Sequence, residues 1–371
     1  MDFPDFELER IQSIWEHQVD YNLTESGLHP FTLRELLDDD QLDRLLSLRL
    51  AYTQTNGTVP LRHAISGQYE GAGIDNVLVT SGSAEANFVA TVLTLNPGDE
   101  LICILPNYMQ IWGIAHGLGA TVVPLRLRQD LEWQIDLGEL ESVISSRTKA
   151  ISVCNPNNPT GSVLNSEERD RIIALAQKSG AWLFVDEVYR GAELAGDETP
   201  SVWGRYEKTV VTGGLSKAYG LPGLRLGWLV GPEEFISRAW AMKDYTTIAP
   251  GALSDQAATF VLESGLRTRI FERNRTILRD NLSYLENWIT RQDGLLNLIP
   301  PKAGGMAFMQ YGLDINSSEL TTQLREDESV LVVPGDSFGF DGFLRLGFGS
   351  EKDYLAAGLE RIASLLRRLS G

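Results

Sequence analysis

The chain has 371 residues, 43% of them hydrophobic and 22% charged, with a formal net charge of -18. That length can bury a core without disulfides or metals. The acidity argues against a nucleic-acid partner or docking on an anionic membrane. Cys103 and Cys154 sit in apolar runs and read as reduced core residues; the four histidines, His17, His29, His63 and His116, show no metal-ligand spacing. No apolar run is long enough to span a bilayer, and residues 1–7 lack a basic signal segment, so a cytoplasmic location is expected.

Residues 7–20 are amphipathic with helical periodicity, placing Leu8, Ile11, Ile14 and Trp15 on one face. A polar stretch, Tyr21 to Pro30, follows and reads as a connector or a loop lining a site. One helix is expected over 32–50 and another from about Val59 to Tyr69. The strand 76–80 then runs into Ser81-Gly82-Ser83-Ala84 and a helix to about Leu95. Strands are predicted at 100–105, 121–125, 150–154, 181–185 and 209–211, separated by helical segments near 109–118, 137–145 and 166–179. This alternation predicts a mostly parallel sheet covered by helices on both faces. Beyond Gly251 a long helical stretch (253–291, interrupted near Ser264-Gly265) gives way to shorter elements: 304–311, a helix at 317–327, strands at 329–333 and 342–347, and a last helix over 351–369. The expected architecture is α/β. A large domain over 36–252 is accompanied by a smaller α/β domain from residues 1–35 and 253–371.

In parallel sheets ligands sit at the carboxyl ends of the strands, and the unusual residues fall there. Ser81 to Ala84 open a helix whose free N–H groups suit a phosphate; an empty Ser/Gly cap is the alternative. Asn155-Pro156-Asn157-Asn158-Pro159-Thr160-Gly161 follows a second strand, Asp186 ends a third, and Lys217 follows a fourth. A lysine crowded among small residues can lose its proton and attack carbonyls, and the planar fork of Arg225 suits a phosphate. Taken alone, the 213–227 stretch also reads as a Gly-rich turn facing water. Four specialised loops on one sheet edge favour a site.

These motifs, Asn-Pro-Asn-Asn-Pro-Thr-Gly (155–161), Asp-Glu-Val-Tyr (186–189), Ser-Lys (216–217) and Gly-Leu-Arg-Leu-Gly (223–227), resemble in identity and order those of the class I/II aminotransferases, pyridoxal 5'-phosphate (PLP) enzymes of the aspartate-aminotransferase-like superfamily. The resemblance implies that Lys217 holds the cofactor aldehyde as an imine and then moves the proton at the substrate carbon. It implies that Asp186 keeps the pyridine nitrogen protonated, and that Tyr189 and Asn158, before an expected cis proline, bond the ring 3'-oxygen. Gly82, Ser83, Ala84, Ser216 and Arg225 are implied at the phosphate, and Tyr108 on the ring face; a core tyrosine is the alternative for Tyr108. Tyr52 matches a tyrosine that reaches the phosphate of a neighbouring subunit, so a homodimer with shared sites is expected, unless Tyr52 is a surface residue. Arg345 would read the substrate α-carboxylate, with Asn158 beside it, a structural ion pair being the alternative. Gly27 resembles the glycine segment that closes over substrate, and His29 would reach a distal group unless it is structural. Gly214 departs from the pattern, since many relatives have a phosphate-binding serine there; weaker cofactor binding is expected.

The implied activity is ping-pong transfer of an α-amino group from an L-amino acid to a 2-oxo acid. Residues 26–29, 216–225, 243–245 and 331–335 also resemble capreomycidine-synthase-type cyclases, making elimination or cyclisation the alternative, although Tyr189 favours transamination. A non-catalytic regulator is the reading least supported.

Overall fold

The computed structural model describes residues 2–370. Helix α1 (Glu7–Trp15) and strand β1 (Tyr21–Asn22) open it. The single helix expected over 32–50 is instead two, α2 (Leu33–Leu36) and α3 (Asp39–Leu46). Thr32 and Asp38 each accept an N–H three residues on, while the Glu35 and Gln41 side chains accept the N–H of the cap residue. Two capping boxes six residues apart start two helices.

Helix α4 (Val59–Ser66) leads to β2 (Val77–Thr80), α5 (Gly82–Thr94), β3 (Glu100–Leu105), α6 (Gln110–Gly117), β4 (Thr121–Arg126), α7 (Leu137–Val143), β5 (Thr148–Cys154), α8 (Ser166–Ser179), β6 (Trp182–Asp186) and β7 (Thr209–Gly214). Two elements not expected from sequence follow, β8 (Gly227–Val230) and α9 (Glu233–Lys243). The seven strands form one sheet in the order β2-β8-β7-β6-β5-β3-β4. Only β8 runs against its neighbours β2 and β7; the other pairings are parallel. Successive strand residues bury on opposite faces. Val77, Val79, Ile102, Ile151, Val185 and Val211 join one apolar cluster, whereas Leu78, Leu101, Cys103, Ala150, Phe184 and Val210 join the other. Strands buried on both faces read as continuous apolar runs, which is why the sheet was visible in sequence.

The remainder comprises α10 (Ala252–Val261), α11 (Ser264–Ile289), β9 (Leu296–Leu298), β10 (Met306–Tyr311), α12 (Ser317–Glu328), β11 (Val330–Leu331), β12 (Val333–Pro334), β13 (Phe343–Gly347) and α13 (Lys352–Leu369). Strands β12-β13-β10-β9 make an antiparallel sheet. The strand expected at 329–333 is divided: β11 pairs with β1 in parallel, while β12 joins β13. The N-terminal segment is thereby hydrogen-bonded to the C-terminal third of the chain. Among the described residues, no helix is long and apolar enough to cross a membrane.

Just past β6 lies a strained electrostatic position. Glu187 is buried; its Oε1 accepts from the Ser201 hydroxyl (2.8 Å) and the Val202 N–H (3.2 Å), but Oε2 has no hydrogen-bond partner and stands 3.8 Å from Arg190. Burial pushes this carboxyl up to about 7, from 4.5. A carboxyl raised in the folded state binds its proton more tightly there than in the unfolded chain. Its contribution is therefore fullest below about 4.5 and is lost as pH rises through about 7. Chemical denaturation of the protein and of Glu187→Gln at pH 5 and pH 8 should show the variant losing less stability over that interval, by up to about 3 kcal/mol.

Candidate active site

The floor of the site is the carboxyl edge of the large sheet. Asp186, the last residue of β6, is buried; its Oδ2 accepts from Asn87 Nδ2 (3.1 Å) and its Oδ1 from the Val188 N–H (3.0 Å). Burial raises this carboxyl, and those hydrogen bonds oppose the shift. The Tyr189 hydroxyl pairs with Ser26 Oγ at 2.7 Å, and burial holds it far above the usual phenol range. In the 155–161 loop the Asn155–Pro156 and Asn158–Pro159 bonds are both cis. Asn157 braces the loop by donating to Pro106 O and accepting from Thr160, so that Asn158 faces the site.

Behind Asn158 stands Arg345 of β13, 1% exposed. It donates from Nη1 to Asn158 Oδ1 (3.1 Å) and from Nη2 to Thr24 O (2.6 Å), while its Nε has no partner. Burial lowers the guanidinium from its usual value; Tyr189 and Glu25 act against that shift.

At the other end, helix α5 begins at Gly82 with φ +78°, and its first-turn N–H groups, Ser83 and Ala84 among them, lack intrahelical acceptors. A Cβ on Gly82 would lie 2.9 Å from Arg225 Nη2, and one on Gly227 would lie 2.3 Å from Ser83 N. Glycine at both places lets backbone N–H groups and the guanidinium fork approach one point, which is an anion cradle. The departure at Gly214 has a steric counterpart. A Cβ there would lie 3.2 Å from Leu226 O and 3.6 Å from Ser83 N, so β7, β8 and the 82–83 turn already leave little room.

The roof comes from the N-terminus. Cβ atoms on Gly347 and Gly349 would lie 1.8 Å from Glu25 O and 1.9 Å from Gly27 O, and one on Gly305 would lie 2.8 Å from Gly27 O. These three glycines form a track in which residues 25–27 lie flat. Gly27 is itself packed on Lys217: its Cβ would meet Ser216 O at 3.3 Å and Lys217 Cδ at 3.6 Å. Lys217 Nζ donates to Glu25 Oε2 at 3.3 Å, and this cation holds the Glu25 carboxyl below the usual range. Helix α1 closes the side. Its Glu9 accepts from the Tyr108 hydroxyl (2.5 Å), Phe6 packs edge-on to Tyr108, and Gln12 donates to Thr24 Oγ1. The cavity, of about 270 Å³ and open to solvent on one side, is lined by Ser83, Ala84, Tyr108, Asn158, Asp186, Tyr189, Ser216, Lys217 and Arg225, by Cys154, Val188 and Pro222, and also by Glu9, Gln12, Ser13, Glu16 and Glu25.

Of the expected site residues, His29, Tyr52, Arg345, Gly27 and Gly82 are not on the cavity wall. The His29 ring does not line the cavity; its Nε2 is 2.6 Å from Arg273 Nη2 and its Nδ1 is buried without a partner. The expectation that it reaches a distal substrate group is corrected: it is packed between 349 and α11. Tyr52 is 87% exposed and does not line this chain's own cavity. Arg345 is screened from the cavity by Asn158 and Thr24. The residues that sequence reasoning missed are Asn87, Glu25, and the α1 stripe Glu9, Gln12, Ser13 and Glu16. Spacing of i, i+3, i+4 and i+7 marks that stripe as one polar helix face. The apolar face predicted opposite it is only partly buried, with Leu8 enclosed and Ile14 41% exposed.

The family profile described as aminotransferase class I and II matches residues 35–362. The chain belongs to that family. It is 30% identical over 358 residues to capreomycidine synthase of Streptomyces vinaceus, covering 94% of this chain and 90% of the relative. Aspartate aminotransferase of Rhizobium meliloti is 28% identical, over 86% of this chain and 82% of that protein. Among solved structures, a PLP-dependent aminotransferase from Streptococcus suis superposes with a TM-score of 0.93 at 32% identity, covering 100% of this chain and 99% of that one. Aminotransferases of this family use pyridoxal 5'-phosphate. The residues fit it: a glycine-lined anion cradle, a buried carboxylate and one amine share the aminotransferase cavity. Gly227→Ala forces a methyl against the backbone of Ser83, so this variant should hold the cofactor at least about tenfold more weakly in absorbance titrations while staying folded by circular dichroism.

Proposed function

We propose that the protein moves the α-amino group of an L-amino acid to a 2-oxo acid in two half-reactions. The observation that carries this reading is that one amine (Lys217), one buried carboxylate (Asp186) and one arginine-flanked helix N-terminus converge on a single cavity. The bound cofactor supplies an aldehyde for amine exchange and a ring that withdraws electrons from the bonds at the substrate α-carbon. Asp186, fixed by Asn87 and the Val188 N–H, would hold the ring nitrogen's proton. Arg225 with Ser83 and Ala84 would hold the phosphate, and Asn158 with Tyr189 the ring oxygen. Among the described residues Lys217 is the only amine on the cavity wall, and Gly27 confines it; it takes up and returns the proton of the substrate α-carbon. Arg345 keeps an unpartnered Nε and a planar fork suited to an α-carboxylate. Receiving that group needs Thr24 to give way.

Elimination or cyclisation is the second reading. It is favoured by the likeness to capreomycidine synthase and by Glu25, a carboxylate 3.3 Å from Lys217 Nζ that can accept a proton within the cavity. The two readings separate on one preparation. Transamination bleaches the visible absorbance of the bound cofactor with an amino donor and restores it with a 2-oxo acid. Ammonia or a cyclised product formed without an acceptor selects the second reading. Lys217→Ala should lower turnover at least about 10³-fold in either case.

We further propose a homodimer. Leu46, Leu50, Tyr52 and Tyr245 are each at least 80% exposed, and Thr53 Oγ1 donates to Pro250 O while Trp240 Nε1 donates to Thr55 Oγ1, joining the 52–55 and 240–250 segments in one face. Large apolar side chains grouped this way support a partner surface. Sedimentation equilibrium should give a dimer for the native chain and a shift toward monomer for Leu50→Asp.

A further inference from the structure

The segment that roofs the cavity is also held from behind, where the cavity does not reach. His29 stands two residues after Gly27. Its backbone N–H donates to Gly349 O at 2.9 Å, and its ring Nε2 lies 2.6 Å from Nη2 of Arg273 on α11. A guanidinium has donors and no acceptor, so Nε2 is the acceptor and the ring's one proton sits on Nδ1. That Nδ1 is buried with no partner among the described residues. The contact therefore exists only with a neutral ring, because a second proton would aim an N–H at the guanidinium and abolish the bond. Phe31 completes the grip, its ring centroid 3.9 Å from the Arg273 guanidinium carbon.

The far side of Arg273 leads to Lys217. Its Nη1 donates to Asn274 Oδ1 at 2.9 Å. Asn274 is fully buried, and its Nδ2 donates at 2.9 Å to the carbonyl of Ala218, the residue after Lys217. Gly220, whose N–H donates to Lys217 O, permits this approach. Its φ is +68°, and a Cβ there would lie 3.5 Å from Asn274 Nδ2 and 3.6 Å from Leu28 Cβ. The loop after Lys217 thus runs between α11 and the residue before His29. Buried hydrogen bonds joined head to tail reinforce one another. The chain His29–Arg273–Asn274–Ala218 links the roof segment to the Lys217 loop without crossing the cavity. On the cavity side the same two elements meet again, where Gly27 packs on the stem of Lys217.

We propose that His29, Arg273 and Asn274 are positioning residues, forming a clasp that fixes the 25–30 segment against the Lys217 loop and opens when His29 takes up a proton. Under the function proposed above, on which this inference rests only in making Lys217 the working amine, the clasp sets how the roof closes over that amine. The charged groups facing the His29 ring are Arg273 of α11, Glu35 of α2 and Glu351 ahead of α13. Burial and Arg273 hold the ring below the usual histidine value of 6.5, and the two glutamates act against them. The clasp is therefore shut at neutral pH and opens on the acid side of that value.

The test uses the PLP-loaded chain carrying isotope-labelled histidine. By NMR the His29 ring should titrate below 6.5, and Arg273→Gln should raise its midpoint by at least about half a pH unit. Amide hydrogen exchange over residues 25–31, corrected for intrinsic rate, should quicken at least about tenfold in the wild type between pH 7.5 and pH 5.5. His29→Gln keeps an acceptor for Arg273 and does not titrate, so it should stay protected at both values. His29→Leu has no acceptor and should exchange fast at both. Turnover is followed with whichever of the standard L-amino acids bleaches the cofactor absorbance fastest. Between the same pH values KM should rise at least about tenfold more in the wild type than in His29→Gln, with kcat changing less than about threefold. Asn274→Ala, checked for fold by circular dichroism, should move the pH midpoint of the cofactor absorbance by at least about half a unit. A His29 midpoint at or above 6.5 that Arg273→Gln leaves unchanged overturns the clasp, as does equal pH response of exchange in the wild type and His29→Gln. An unmoved absorbance midpoint in folded Asn274→Ala overturns its link to Lys217. No bleaching by any donor, together with the expected titration and exchange, overturns transamination and leaves the clasp standing.

Discussion

A buried guanidinium organises this site. Arg345 is almost wholly enclosed, and a charge so placed must be met by hydrogen bonds or it destabilises the fold. Its two partners come from stretches far apart in sequence: Asn158 in the loop after β5, and the carbonyl of Thr24 ahead of the glycine segment. One side chain therefore ties the small antiparallel sheet, the large sheet's carboxyl edge and the N-terminal roof into one geometry. Losing a hydrogen bond to such a charge costs about 1.5–3 kcal/mol. The constraint runs the other way too. Because the fork is incompletely satisfied, with Nε unpartnered, the same arginine retains capacity for an incoming carboxylate.

The large sheet was legible because its strands are buried on both faces and their apolar runs stop where the specialised residues begin, at Thr80, Cys154, Asp186 and Gly214. Strand β8 was not. Gly227-Trp228-Leu229-Val230 is four residues long and abuts the Gly-rich stretch, and its antiparallel place between β2 and β7 depends on pairing that no local pattern encodes. The break between α2 and α3 is written in two capping boxes, whereas the expectation over 32–50 is a single helix. Competing helix starts outweighed periodicity there.

The roof was the least legible part. Gly305, Gly347 and Gly349 are unremarkable in sequence, the first just before β10 and the other two at and beyond the end of its partner β13. Their common purpose is visible only when residues 25–27 lie across them at distances no Cβ would allow. Glu25 and Glu9 were overlooked for a related reason. A carboxylate on an exposed-looking helix or connector is usually solvated, and only the closure of the N-terminus over the sheet edge turns these into cavity walls. His29 shows the converse: proximity in sequence to Gly27 suggested a substrate contact, but the chain turns after Leu28 and delivers the ring to Arg273.

The Lys217–Glu25 pair links these observations to chemistry. The contact at 3.3 Å holds the Glu25 carboxyl below its usual range, so the glutamate stays ionised beside the amine. Glu25 rides on the same glycine-supported segment that packs Gly27 onto the lysine's stem. Movement of that segment therefore changes both the charge beside the amine and its confinement. Whatever engages Lys217 frees a carboxylate in the cavity, and whatever neutralises that carboxylate lets the segment stay closed.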